Sequence, residues 1–262
     1  MKIHRINAVI VRHLYEARRN FDRVIDLVWW PVLDIIMWGF FTIYLSHSNR
    51  LQPTVVSCLL GAVILWGTFY GFQRDLGVGL IDDLWCRNLI NLFSTPLTLA
   101  EYIVGLIAMC LMKVMVGLIA AAAIAWVAYS FNILPWLPQF LPYMANLLLF
   151  ALALGIAIIG MIFRYTTKIQ AVAWSFAGLL MPVSCVMYPM SSLPKWLQDI
   201  AWMMPTAHSF EGMRQVLAGG GFSPMHFWWG AGLNAVYFVI AITFFSWIFE
   251  KARARGLLVK QE

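Results

Sequence analysis

Asp82 and Asp83 are adjacent carboxylates in an otherwise apolar chain. Two carboxylates can hold a divalent cation on a diphosphate, as in prenyl-transferring membrane enzymes. Those enzymes repeat the acids one helical turn apart, and no such repeat follows here, so this chemistry is disfavoured. His208 has no second His or Cys at metal-ligand spacing. The cysteines Cys58, Cys86, Cys110 and Cys185 contain no CxxC pair, and three of them sit in apolar runs, where buried thiols are the expectation. No GxxxxGK[ST] phosphate loop occurs. No residue is therefore assigned a catalytic or metal-binding role.

Asp34 and Lys113 are the charges set deepest in apolar stretches. Asp34 lies about ten residues into the first such stretch and Lys113 about eleven into the third, depths of roughly 15 and 16 Å at 1.5 Å per residue. Charges at that depth are costly and usually paired. The expectation is an Asp34–Lys113 contact, within or between subunits; the alternative is that each faces a wet lumen separately.

The elements that position these residues follow from composition. Of 262 residues, 62% are hydrophobic and 11% are charged, against about 25% charged in soluble proteins. The chain reads as an all-α integral membrane protein. Its net charge of +6 gathers at the ends and in loops rather than on one face, which excludes a nucleic-acid footprint. Residues 2–23 place Ile3, Ile6, Ile10, Leu14, Ala17 and Phe21 on one stripe amid bases, the pattern of an amphipathic helix lying on an anionic leaflet. Six apolar segments follow at about 24–45, 54–72, 102–130, 141–163, 169–190 and 226–249, each near the ~20 residues a span needs. Pro31 should kink or restart the first. Small residues such as Gly117, Ala151, Gly155 and Gly160 allow close helix approach. No secretory signal is evident.

Fourteen Lys and Arg fall on the segments shared with the N-terminus and three on the opposite ones. The bias puts both termini in the cytoplasm. It also puts 73–101 there. Leu76, Leu80, Ile81, Leu84, Trp85, Leu89 and Leu92 recur in that stretch at helical spacing, with Asp75, Asp82, Asp83 and Arg87 between them. The expectation is a separate helix on the membrane surface, a handle for a soluble partner or a plain connector. On the outer side, 191–225 reads as two short helices joined at Pro205. Ser192 caps the first, with Pro194 in its first turn. The second runs from about Thr206 to Gly219-Gly220-Gly221. Together they suggest a short re-entrant hairpin before the last span, or a cap lying on the surface. Thr98 and Glu101 form a capping box, and Glu211 with Arg214 an i,i+3 pair.

This order of parts resembles the membrane subunit of an ABC-2 type exporter, over essentially all of residues 1–262 read as one domain. The resemblance rests on the basic helix before the first span and on Ser94-Thr95-Pro96-Leu97-Thr98-Leu99-Ala100-Glu101. It rests most on Tyr188-Pro189, Leu193-Pro194-Lys195-Trp196-Leu197-Gln198 and Pro205-Thr206-Ala207-His208-Ser209-Phe210-Glu211-Gly212-Met213-Arg214. Gly77-Val78-Gly79-Leu80-Ile81-Asp82-Asp83-Leu84 departs from the Glu-rich pattern of drug-type members and leaves the substrate subclass open.

The resemblance implies a permease in the bacterial inner (plasma) membrane: two copies of this chain, bound to an ABC ATPase that carries ATP and Mg, with no cofactor on this chain. It implies an ATPase-coupling surface at Leu76, Leu80, Asp82, Asp83, Leu84, Trp85 and Arg87. The extracytoplasmic hairpin, marked by Pro189, Pro194, Trp196, Pro205, His208, Glu211 and Arg214, would shape the exit. The cargo would be amphipathic, lipid-linked or glycan-type, and membrane lipids would surround the dimer. Rival readings are an ion-coupled secondary transporter, which needs internal repeats and paired midplane charges, and a membrane-embedded transferase.

Overall fold

The computed structural model describes residues 1–19, 21–47, 53–86 and 89–254. Their regular elements are all helices, with no strand among the described residues. In order come α1 (Ile3–Arg19), α2 (Phe21–His47), α3 (Pro53–Trp85), α4 (Leu89–Ser94), α5 (Leu99–Tyr129), α6 (Leu137–Tyr165), α7 (Gln170–Leu180), α8 (Lys195–Trp202), α9 (Pro205–Gln215) and α10 (Pro224–Ala254). Among the described residues, four stretches are long and apolar enough to cross a membrane: Val55–Trp85, Leu99–Tyr129, Leu134–Tyr165 and Pro224–Lys251. Val28–Tyr44 and Gln170–Leu180 are shorter apolar helices.

α3 and α6 form the centre. α6 packs on α10, α3 and α9, while α3 also contacts α5, α2 and α7. Leu76 of α3 presses on Gly155 of α6, where an added Cβ would come within 2.6 Å of it. Phe69 stacks on Phe150 at 5.9 Å, and Trp66 reaches Phe210 of α9 at 6.3 Å. Between apolar helices in lipid, close packing and interhelical hydrogen bonds drive association rather than loss of water. Those bonds are present: Tyr129 donates to the Ile36 carbonyl at 3.0 Å, Tyr70 to Trp174 at 2.9 Å, and Asn234 to Asn146 at 2.9 Å. Each contributes about 0.6 kcal/mol by analogy with measured membrane proteins.

Three expectations are corrected. Residues 73–85 are not a separate surface helix; they are the last turns of α3, continuous with the span before them. The polar residues that suggested a break are neutralised inside the bundle. Gln73 is buried and donates to the Ala173 carbonyl at 3.3 Å, and Arg74 pairs with Asp75 at 3.0 Å. The first apolar segment, expected to kink or restart at Pro31, does not restart there, because Pro31 lies within the continuous α2. The fifth, expected at 169–190, is helical only to Leu180. Pro182 cannot donate a helical hydrogen bond, and Cys185 sits at a φ of 53°.

Candidate functional site

Three polar groups interrupt the apolar bundle. The first closes the end that carries α1. Thr98 caps α5, with its Oγ1 accepting from the Glu101 N–H at 3.3 Å and Glu101 Oε2 accepting from the Thr98 N–H at 3.0 Å. Glu101 also accepts from the Lys2 backbone N–H at 2.8 Å and from Arg5 Nη1 at 3.3 Å. In the last turn of α3, Asp83 Oδ2 accepts from Arg12 Nη2 and from the Tyr102 hydroxyl, each at 2.6 Å. α1 is thus fastened at two points to two other helices. Between the fasteners Val9 is buried against Gly105, where a Cβ would come within 2.7 Å of it. Only glycine leaves α1 this close to α5.

The other Arg12 nitrogens, Nε and Nη1, are buried without a hydrogen-bond partner, so the guanidinium depends on Asp83 and the His13 ring. Burial, with the Arg12 charge alongside, holds the His13 imidazole below its ordinary value. A neutral ring can accept from Arg12 at 3.0 Å through Nε2 while Nδ1 faces Glu16 at 3.6 Å.

These contacts redraw the expected partner surface. Leu76 and Leu80 are fully buried, so neither is open to another protein. Their spacing is the stripe that seats α3 in its own bundle. Asp83 is committed to α1. Asp82 and Leu84 are half-buried, and Trp85 is 52% exposed. Arg87 lies outside the described residues. Exposed surface starts at Trp85 and runs through Cys86, Asn91, Ser94, Thr95 and Pro96. Arg5, Arg12 and Tyr102 gave no local signal of their roles, because their acidic partners are 96, 71 and 19 residues away in the chain.

The second group borders a cavity of about 570 Å³ between α2, α3, α5 and α7. Asp34, Arg74, Asp75 and Lys113 all face it. Arg74 and Asp75 pair. Asp34 and Lys113 share the space, yet among the described residues neither forms an ion pair within 4.0 Å. The expected contact between them is therefore absent within one chain.

The third group is at the opposite end. Pro194 precedes α8 as its N-cap, without a side-chain capping bond. Ser192 ends a short 3-10 turn, Met190–Ser192, and does not cap α8 as expected. Trp196 is 65% exposed. Pro205 opens α9, which ends in a π turn, Val216–Gly220, with Gly219 in the left-handed region at φ 82°. Glu211 accepts from the Met190 N–H at 2.5 Å and from Arg214 at 3.2 Å. Arg214 in turn donates to the carbonyls of Cys185 and Val186, and the Tyr188 hydroxyl donates to Pro182 at 2.6 Å. Three carbonyls of the irregular backbone after α7, those of Pro182, Cys185 and Val186, are thus met by protein donors, which is what such backbone needs inside a bundle. Pro189 is exposed beside this turn. His208 is fully buried, with Nε2 3.0 Å from the Trp202 carbonyl and Nδ1 3.3 Å from His226 Nδ1. His226 is the partner that sequence spacing did not supply. Among the described residues no group of three or more possible ligands could hold a metal.

Compared with known families, residues 9–218 match the model of the ABC-2 type transporter. That stretch contains the whole cavity and all of α8 and α9. Among curated proteins no relative is found.

Proposed function

This chain belongs to the ABC-2 type transporter family and is a membrane permease, a transport subunit without an ATPase domain; from that premise we propose how it works. The chain crosses the membrane six times, with α2, and α7 together with the irregular stretch after it, completing the set begun by the four long helices, and both termini lie in the cytoplasm. The fourteen-to-three distribution of bases supports that orientation. Two copies bind two ABC ATPase subunits, which hold the ATP and Mg, and the path between the copies carries an amphipathic, lipid-linked or glycan-type cargo. α8 and α9 form the outer hairpin at its exit.

The surface offered to the ATPase is Trp85, Cys86 and the exposed side of α4. Their exposure supports this, as does the burial of the leucines one and two turns earlier. α3 is one helix of 33 residues, a rod of roughly 50 Å. A push at Trp85 therefore moves the same helix that carries Arg74 and Asp75 in the cavity wall. Asp83 and Glu101 lie on either side of α4, so α1 travels with that push. Closure of the ATPases on ATP is the source of the force.

The match over residues 9–218 carries this reading. Its test is co-purification with the ABC ATPase. Trp85→Asp is expected to reduce recovery of the complex at least about tenfold, the size of a lost interface anchor, with an unchanged melting temperature. Full recovery of the complex with Trp85→Asp would remove this surface from the account, and a wild-type chain that binds no ABC ATPase would remove the account itself.

A further inference from the structure

We propose that the cavity between α2, α3, α5 and α7 binds a zwitterion, a molecule that presents a cationic amine and an anionic phosphate or carboxylate on one small framework. The formal charges of Asp34, Arg74, Asp75 and Lys113 cancel, but only Arg74 and Asp75 satisfy each other, at 3.0 Å. Asp34 on α2 and Lys113 on α5 face the same space, and among the described residues neither has an ion-pair partner. Unpaired charges inside apolar helices are costly and mark ligand pathways. A neutral ligand would leave both uncompensated, and an ion of one sign would compensate one and repel the other. A dipolar ligand compensates both at once.

The rest of the lining agrees. Trp30 lies one helical turn before Asp34, and Trp66, Tyr70 and Trp174 also border the cavity. Aromatic faces near a carboxylate form a site for an ammonium group. Leu118 and Ala121 of α5 continue the wall as apolar surface, where the stem of an amphiphile can lie. The volume of about 570 Å³ falls in the usual range for small-molecule sites, about 300–1,000 Å³. It suits a headgroup or a small free zwitterion and is too small for a glycan chain. The binding claim stands by itself; that the occupant is cargo rests on the permease reading.

The experiment is native mass spectrometry of the purified full-length chain, offered phosphatidylethanolamine, phosphatidylglycerol or a cationic lipid. The wild type is expected to retain phosphatidylethanolamine at least about tenfold over either competitor, as two charge-assisted contacts require. Asp34→Asn and Lys113→Gln should each reduce retention about tenfold, while Lys195→Gln, at an exposed position, leaves it unchanged. Free phosphocholine competes if the site takes soluble zwitterions and does not if it takes lipid headgroups alone; either result supports the proposal. Equal retention of the three lipids by the wild type overturns it, as does retention indifferent to both neutralisations. Where a single variant fails to fold, the neutral pair Asp34→Asn with Lys113→Gln decides: loss of retention in a normally melting protein supports the site, and retention within about threefold of wild type rejects it. If that pair also fails to fold, the wild-type selectivity decides alone. Co-purification with the ABC ATPase is scored on the same samples, so loss of the zwitterion site and failure of the permease reading give different results.

Discussion

α1 buries two of its seventeen residues, Val9 and His13, whereas α9 buries eight of its eleven. Both are short polar helices at the ends of an apolar bundle, and they are held by different physics. α9 is lodged between α6 and α10, and its Glu211 and Arg214 secure the irregular backbone that follows α7. α1 lies along α5 and is secured by Arg5 to Glu101 and Arg12 to Asp83. A helix held by a few strong contacts at its rim can detach or tilt as a unit. A helix whose side chains form the core cannot move without repacking it. The molecule thus has a rigid end and a hinged end, and the hinged end is the one next to α4.

The comparison makes unequal predictions. The largest concerns the rigid end. Arg214→Met leaves the Cys185 and Val186 carbonyls without their donor and Glu211 with only the Met190 N–H, and stranding part-buried polar groups costs about 1–3 kcal/mol each. We expect poor recovery of folded protein or a melting temperature lower by at least about 5 °C, measured by size exclusion after heating. A normal melt would show that α9 is not part of the core. Next comes the hinge. Asp83→Ala removes the carboxylate that accepts from Arg12 Nη2 and from the Tyr102 hydroxyl, at about 2 kcal/mol. The loss should be local: hydrogen exchange rises in α1 while α6 and α9 keep their protection. Uniform loss of protection would erase the distinction between the ends.

The smallest effect is that of pH on α1. The His13 imidazole is held below its ordinary value by burial and by Arg12. A base whose folded pKa is depressed contributes stability above its unfolded value, about 6.5, and that contribution fades as pH falls through the folded value. Spin labels on α1 and α5 should therefore report a broader distance distribution at pH 5 than at pH 8. His13→Gln should remove the difference; a difference that persists in that variant would assign it to another group.

What the sequence could and could not reveal follows the same division between local and distant contacts. The cap of α5 was legible because Thr98 and Glu101 are three residues apart and satisfy each other. The start of α9 was legible within a residue because proline marks it. The continuity of α3 was hidden: Gln73, Arg74 and Asp75 look like the end of a span by hydropathy, and nothing local reveals that Ala173 and an internal ion pair neutralise them. The break after α7 was hidden for a related reason. Residues 181–190 are apolar enough to extend a helix, and the arginine that holds their non-helical backbone lies at 214. The leucine stripe at Leu76 and Leu80 was read as the apolar face of a surface helix offered to a partner, but both side chains are buried, and Leu76 packs on Gly155 of the chain's own α6.

The central claim is that force enters through the exposed end of α3 and α4 from an ABC ATPase. The native chain carries its own probe there: Cys110 and Cys185 are buried, Cys58 is half-buried and Cys86 is exposed. In a Cys58→Ser background, a membrane-impermeant maleimide should label Cys86 in inside-out vesicles and not in intact cells. Bound ABC ATPase should slow that labelling at least about tenfold, as burial in an interface core requires. Labelling from the outside, or an unchanged rate in the assembled complex, would contradict the account.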